Sequence, residues 1–129
     1  MRDERLRAAA VLWLTTVDPG GQPQTSPVWF HWDGRDVVVF SRPDARKVAN
    51  VRGDPRVALH LDGAAPDDTV VTGEARAACE PVDAARRAAY AEKYAAWLAR
   101  LGTTADAYLA EFVTPIVLRP TRWRVYRSD

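Results

Sequence analysis

The chain has few of the residues that mark disulfide-linked, metal-binding or membrane-spanning proteins. Cys79 is the only cysteine among 129 residues, and there are only two histidines. These three residues are scattered, so they form neither a disulfide framework nor a ligand cluster with zinc spacing. No stretch approaches the roughly 18 apolar residues of a membrane span. The charged N-terminal segment has too short an apolar run for a signal peptide, so we expect a cytoplasmic protein.

Motifs of several common functional classes are also missing. The absence of a GxGxxG turn argues against a doubly wound dinucleotide-binding sheet. Without a serine nucleophile elbow, an HExxH motif or paired acids, a hydrolase has little support. The formal net charge is only +1, whereas general nucleic-acid binders carry a broad basic surface. Any anion site must be local, and we expect neither a nucleic-acid nor a membrane partner.

The chain does contain a succession of strand patterns with helices inserted between them. Strong turn chemistry at 18–21 and 33–35 separates strands rich in β-branched and aromatic residues. Helical spacing of apolar residues marks other segments. The predicted strands are 11–17, 24–32, 36–40, 56–62, 69–80 and 116–127, the predicted helices are 3–10, 44–51, 81–101 and 104–112, and a polar loop covers 63–68.

This order favours an α+β protein, mainly β, built as a closed or split antiparallel β-barrel with helices packed outside. The length suits a single domain over residues 1–129. Pro27 cannot donate to a strand ladder, so its strand should be bulged or at a sheet edge there. We also expect Pro120 to interrupt the last strand.

Positive charge is concentrated around the predicted helix 44–51. A helix start presents free backbone N–H groups, and basic side chains beside it make a good phosphate site. Lys47 is one of only two lysines in an arginine-rich chain, which suggests a need for a point charge. The alternative is that the basic run is merely a solvated helix face. The residues of this run are Arg42, Arg46, Lys47, Arg52 and Arg56.

Histidines and tryptophans offer further candidates with two interpretations each. His31 and His60 sit in predicted strands without a motif, which is more typical of structural than of catalytic histidines. Trp29, Trp32 and Trp123 either stack on a planar ring or fill a barrel core or dimer interface. A planar, phosphorylated cofactor would explain the aromatic and basic features together.

The segment 25–59 resembles a known family. SPVWF at 26–30, Phe40-Ser41, Arg46-Lys47, Asn50 and the GDPRV run at 53–57 resemble the pyridoxamine 5'-phosphate oxidase-like split β-barrel proteins, and within them the branch dependent on the deazaflavin coenzyme F-420. The resemblance implies the FMN-binding split-barrel type of fold. It also implies a homodimer whose two cofactor sites lie at the subunit interface, with Trp123 covering the site from the other chain.

The same resemblance implies a cofactor site and an activity. Arg46, Lys47 and Ser41 would hold the cofactor phosphate, and the ring would lie along Thr25 to Trp29. The full implied set is Thr25, Ser26, Pro27, Val28, Trp29, Phe40, Ser41, Arg46, Lys47 and Asn50, with no catalytic side chain and no metal. The implied activity is F-420-dependent hydride transfer to a small unsaturated or quinone-like acceptor.

Two alternatives remain open on the sequence. The same site would suit an FMN-binding flavoprotein oxidoreductase, or a non-catalytic carrier of a deazaflavin, heme or tetrapyrrole. Vitamin B6 oxidation is not expected. True pyridoxamine phosphate oxidases carry an additional basic residue in the second strand and an arginine-rich substrate motif at the C-terminus. This chain lacks the first and has only Arg122-Trp123-Arg124 in place of the second.

Overall fold

The computed structural model describes residues 2–63 and 69–127. In order, its elements are α1 (Arg2–Ala8), β1 (Leu12–Val17), β2 (Pro23–Val28), β3 (His31–Trp32), β4 (Val37–Ser41), α2 (Arg46–Gly53), β5 (Arg56–His60), β6 (Val70–Ala78), α3 (Ala84–Arg100), α4 (Ala105–Glu111) and β7 (Thr114–Tyr126). The predicted polar loop 63–68 lies, apart from Gly63, outside the described residues. Across these ranges, the helices are too short or too polar to span a lipid bilayer.

The seven described strands form one antiparallel sheet in the order β2-β1-β5-β6-β7-β4-β3. Strands β2 and β3 are therefore the two opposite edges of the sheet, yet only Trp29 and Phe30 separate them along the chain. The three residue steps from Val28 to His31 span at most about 11 Å, so the sheet must curl until its edges approach each other. The split antiparallel barrel predicted from the sequence is confirmed.

The predicted continuous strand 24–32 is wrong, because the structure breaks it at Trp29 and Phe30. The N–H of Phe30 donates to the Tyr94 hydroxyl at 2.8 Å, and Lys93 Nζ donates to the Phe30 carbonyl at 3.0 Å. Side chains of α3 thus occupy both backbone groups of Phe30, which leaves neither for a strand ladder. The edge position predicted for Pro27 is confirmed, since β2 pairs only with β1.

Two hydrophobic clusters lie on opposite sides of the sheet. One fills the barrel and includes Leu14, Phe30 and Ile116. The other packs the outer face of β4 against α3 and α4, with Tyr90 and Tyr94 at its centre. Every residue of β4 is buried because the strand carries a cluster on each face. This places the end of β4 and the start of α2 between the barrel and the outer helices.

The last strand is longer than predicted. Strand β7 runs through Pro120 without ending, because the pairing with β6 shifts by one residue at that point. Ala75 pairs with Pro120 and Glu74 pairs with Arg122, so Thr121 is the extra residue of a β-bulge. The bulge accommodates the proline, whose missing N–H would otherwise leave a gap in the ladder.

Helix α2 begins two residues later than predicted. Ala45 is extended, with φ −66° and ψ 144°, and its N–H closes a turn onto the Arg42 carbonyl at 3.1 Å. The turn at Pro43 therefore delays the helix. As a result, Arg46 and Lys47 occupy its first two positions.

Candidate functional site

A cavity of about 270 Å³ lies where the end of β2, the end of β4, the start of α2 and helix α4 meet. It brings together two sequence-predicted segments, the 26–30 run and the strand-to-helix connection at 40–47. Six predicted site residues line it: Pro27, Val28, Trp29, Phe40, Ser41 and Lys47. The remaining lining residues are Arg42, Ala45, Tyr108 and Phe112.

Lys47 is the cation that this cavity leaves without a counter-ion. Its side chain is half-buried, and burial lowers the pKa of Lys47 below its ordinary value. No carboxylate or hydrogen-bond acceptor among the described residues contacts its ammonium group. A desolvated charge without a partner is costly, and a bound anion would offset that cost. The site is therefore suited to a negatively charged ligand.

Arg46, the neighbour of Lys47, lies in a different environment. It is exposed and does not line the cavity. Hydrogen bonds, chiefly from the Gln22 backbone, hold the pKa of Asp18 low, and the charge of Arg46 contributes to the same effect. Of the two basic residues at the start of α2, only Lys47 lines the cavity.

The start of α2 and Ser41 add hydrogen-bonding groups to this end of the site. Ala45 precedes the helix and provides no side-chain cap for the first-turn amides. Ser41 is buried and its hydroxyl donates to the Arg42 carbonyl at 3.1 Å. The hydroxyl must therefore rotate away from that carbonyl before it can donate to a phosphate.

One wall of the cavity is a column of stacked aromatic rings. Trp29 stacks on Tyr94, with centroids 4.3 Å apart, and on Tyr108, with centroids 5.3 Å apart. Tyr108 stacks in turn on Phe112 at 4.3 Å. The guanidinium of Arg42 caps the column 4.9 Å from the Phe112 ring and pairs with Glu111 at 2.7 Å.

This stacking decides between the two interpretations of the tryptophans. Trp29 already stacks on two of the protein's own rings, which leaves less of its ring surface for a ligand. Trp32 is buried in the barrel and contacts Trp123 edge to face at 5.7 Å. Within the described chain all three side chains serve packing, and the role of Trp123 toward another subunit stays a prediction.

Four predicted site residues lie away from the cavity. Besides Arg46, these are Thr25, Ser26 and Asn50. The Thr25 hydroxyl bonds that of Thr15 across the β1–β2 pair at 2.8 Å. The buried Asn50 amide donates to the Thr16 hydroxyl at 3.0 Å, joining α2 to β1. Their cofactor roles stay predictions, and the contacts seen here are structural.

Sequence reasoning missed Tyr108 and Phe112 as lining residues. They lie four residues apart in a predicted helix, so the sequence predicts that they share one helix face. It does not predict that this face contacts the end of β2. Arg42 belongs to the basic run, although its partners are Glu111 and Phe112.

The histidines and the cysteine lie outside this cavity. His60 stacks on Trp13, and His31 lines another cavity, where burial chiefly lowers its pKa. Burial raises the pKa of the Cys79 thiol, so it carries little thiolate at neutral pH. The described part of the chain contains no group of three or more His, Cys, Asp or Glu side chains that could hold a metal ion.

Comparison with known proteins supports the fold over nearly the whole chain. The model of the family described as pyridoxamine 5'-phosphate oxidase matches residues 2–126. No curated protein matches significantly.

Solved structures with the same fold carry different functional descriptions. The conserved hypothetical protein Rv2991 from Mycobacterium tuberculosis is 20% identical with a TM-score of 0.74, over 96% of this chain and 81% of that one. A protein described as an F420 reductase is 23% identical, with a TM-score of 0.63, over 95% and 94%. A heme binding protein from Mycobacterium smegmatis is 25% identical, with a TM-score of 0.73, over 97% of this chain and 55% of that protein.

Proposed function

The chain belongs to the pyridoxamine 5'-phosphate oxidase family, and from this premise we propose that it is a homodimeric oxidoreductase that uses reduced coenzyme F-420. Its reaction transfers a hydride from the deazaflavin to a small unsaturated or quinone-like acceptor. The observation that carries the proposal is the half-buried ammonium of Lys47, which lines a cavity with the buried Ser41 and lacks a counter-ion among the described residues.

Lys47 and the first turn of α2 fit a phosphate group. The ammonium supplies a point charge, and the uncapped amides supply donors beside it. Ser41 adds a hydroxyl after rotation. When bound, the cofactor supplies the redox chemistry, so the protein needs only to anchor, orient and exclude water.

The size of the cavity bears on how a whole cofactor would be held. About 270 Å³ is just below the range of about 300–1,000 Å³ typical of small-molecule sites. It suits one end of a longer ligand, with the rest extending past the exposed Pro27 on the β2 edge. We propose that a second subunit completes the site there, as the resemblance implies.

FMN is the main competing ligand, because it also carries a phosphate and a planar ring. Heme carriage is a competitor from another functional class, motivated by a relative described as heme binding. Neither histidine lines this cavity, so the commonest axial ligand of heme is missing from it. The geometry of the described residues therefore favours a phosphorylated cofactor over heme.

A side-by-side titration of the protein with F-420, FMN and heme tests the choice of cofactor. We expect the tightest binding with F-420, followed by faster reoxidation of the reduced cofactor when enones or quinones are added with protein. Tightest binding of FMN would replace the cofactor assignment and keep the phosphate anchor. Tight F-420 or heme binding without turnover across the acceptor panel would contradict the oxidoreductase proposal and support a carrier.

A further inference from the structure

A second cavity, of about 410 Å³, lies between α1, β3 and α3. Its lining residues are Arg7, His31, Trp32, Ala89, Glu92 and Lys93, none of which lines the candidate cofactor cavity. Trp29 lines the first cavity and His31 the second, with Phe30 between them in the sequence. The proposed function makes no use of this space.

Lys93 is held in an apolar environment at the wall of this cavity. Its Nζ donates to the Phe30 carbonyl at 3.0 Å and lies 3.8 Å from the centroid of the Phe30 ring. No carboxylate of the described chain pairs with it. Burial lowers the pKa of Lys93 to about 8. At pH 7.5 about a quarter of such amines are neutral, against about one in a thousand for an ordinary lysine.

The charges around Lys93 favour an anion. Arg7 comes from α1 and forms no ion pair within the described ranges, and Glu92 is the one carboxylate of the lining. Beyond the lining, Arg86 and Asp33 lie 3.9 Å apart and offset each other. The two lining cations therefore outnumber the lining carboxylate.

Three uncharged residues complete the lining, namely His31, Trp32 and Ala89. Burial chiefly lowers the pKa of His31, so its imidazole is largely neutral at neutral pH. The indole N–H of Trp32 has no hydrogen-bond partner among the described residues, but its nitrogen is fully buried and has no surface from which to contact a ligand.

We propose that this cavity captures small aldehydes that carry a carboxylate, with Lys93 forming an imine to the carbonyl carbon and Arg7 holding the carboxylate. The neutral amine adds to the carbonyl and forms the C–N bond. The resulting carbinolamine takes up a proton and loses water, leaving the protonated imine. Neutral amine, aldehyde and one proton from solvent thus give the protonated imine and water, with no oxidant or reductant.

Glyoxylate followed by sodium borohydride provides a direct test, because borohydride reduces the imine to a stable secondary amine that mass spectrometry can locate. Lys93 and Lys47 are the only lysines, so the chain contains its own comparison. We expect label at Lys93 to exceed label at Lys47 severalfold at pH 7.5, because Arg7 shares the cavity with Lys93 and burial lowers the pKa of Lys93 to about 8. Equal labelling of the two lysines would overturn the proposal.

Two variants distinguish binding of the aldehyde in the cavity from the general reactivity of a lysine amine. Lys93→Arg keeps the charge and should remove the label from position 93 without raising the label at Lys47. Arg7→Gln should lower glyoxylate labelling of Lys93 about tenfold, the usual value of a charge-assisted contact, while leaving labelling by the neutral acetaldehyde unchanged. An Arg7→Gln protein that labels like the wild type with glyoxylate would refute the anion-holding role. Far-ultraviolet circular dichroism checks that each variant is folded.

Discussion

The hydroxyl of Tyr94 stabilises the connection between the two edge strands of the sheet. The substitution Tyr94→Phe removes this hydroxyl and keeps the aromatic ring. The hydroxyl accepts from the Phe30 N–H at 2.8 Å and donates to the Ala10 carbonyl at 2.6 Å. It therefore joins α3 to the β2–β3 connection and to the segment before β1. The phenyl ring left in the variant can still stack on Trp29, so the change isolates the hydrogen bonds.

The expected loss follows from the groups that the variant leaves unpaired. Phe30 is fully buried, and an orphaned backbone N–H there costs about 1–3 kcal/mol. The Ala10 carbonyl is half-buried and adds about 1 kcal/mol, since water can replace part of its bond. Tyr94→Phe should therefore lower the free energy of unfolding by about 2–4 kcal/mol.

Equilibrium urea unfolding measures this loss, and Tyr108→Phe is the matched control. Tyr108 also stacks on Trp29, but its hydroxyl makes only a 3.4 Å contact with that of Tyr90. We expect the control to lose about 1 kcal/mol, because the long contact is weak but the variant leaves the buried Tyr90 hydroxyl without it. If Tyr94→Phe were no less stable than Tyr108→Phe, the stabilising role of the Tyr94 hydroxyl would be refuted.

Other predictions concern packing, a buried amide and pH. A Cβ at Gly73 would lie 3.0 Å from two ring atoms of Trp123, so Gly73→Ala should cost about 1–3 kcal/mol in urea unfolding. Asn50→Ala should cost about 1–3 kcal/mol in urea unfolding by orphaning the buried Thr16 hydroxyl. The folded pKa of Lys93 lies below its unfolded value, so its charging opposes folding below about pH 8, and this penalty is relieved as pH rises toward 10.5. Thermal unfolding of wild type and Lys93→Met should therefore show the variant's relative stability falling as pH rises through this range; a pH-independent difference would contradict the assignment.

The features that could be predicted from the sequence are those that depend on neighbouring residues. In the turn before β4, Asp33 Oδ1 accepts from the N–H groups of Arg35 and Asp36, and Gly34 adopts a φ of +95°. These are local requirements of turn chemistry. The edge placement of β2 follows similarly from the missing N–H of Pro27.

The features that escaped prediction depend on contacts between distant segments. The break at Phe30 requires Tyr94, which lies 64 residues further along the chain. The stacking of Trp29 on Tyr108 depends on the position of α4, which no local pattern reveals. The segments meeting at the cavity were predictable, whereas the separation of Lys47 from Arg46 and Asn50 depends on the orientation of α2.

The most direct test of the phosphate anchor is the dissociation constant for F-420 of Lys47→Ala compared with that of Arg52→Ala. Both variants remove one positive charge from α2, but Arg52 is exposed and lies outside the cavity. Loss of a charge-assisted hydrogen bond of about 1.5–3 kcal/mol predicts binding about 10- to 150-fold weaker in Lys47→Ala and nearly unchanged in Arg52→Ala. The stability of Lys47→Ala should be unchanged or higher, because a desolvated charge is removed. Equal affinities in the two variants would show that Lys47 does not hold the cofactor.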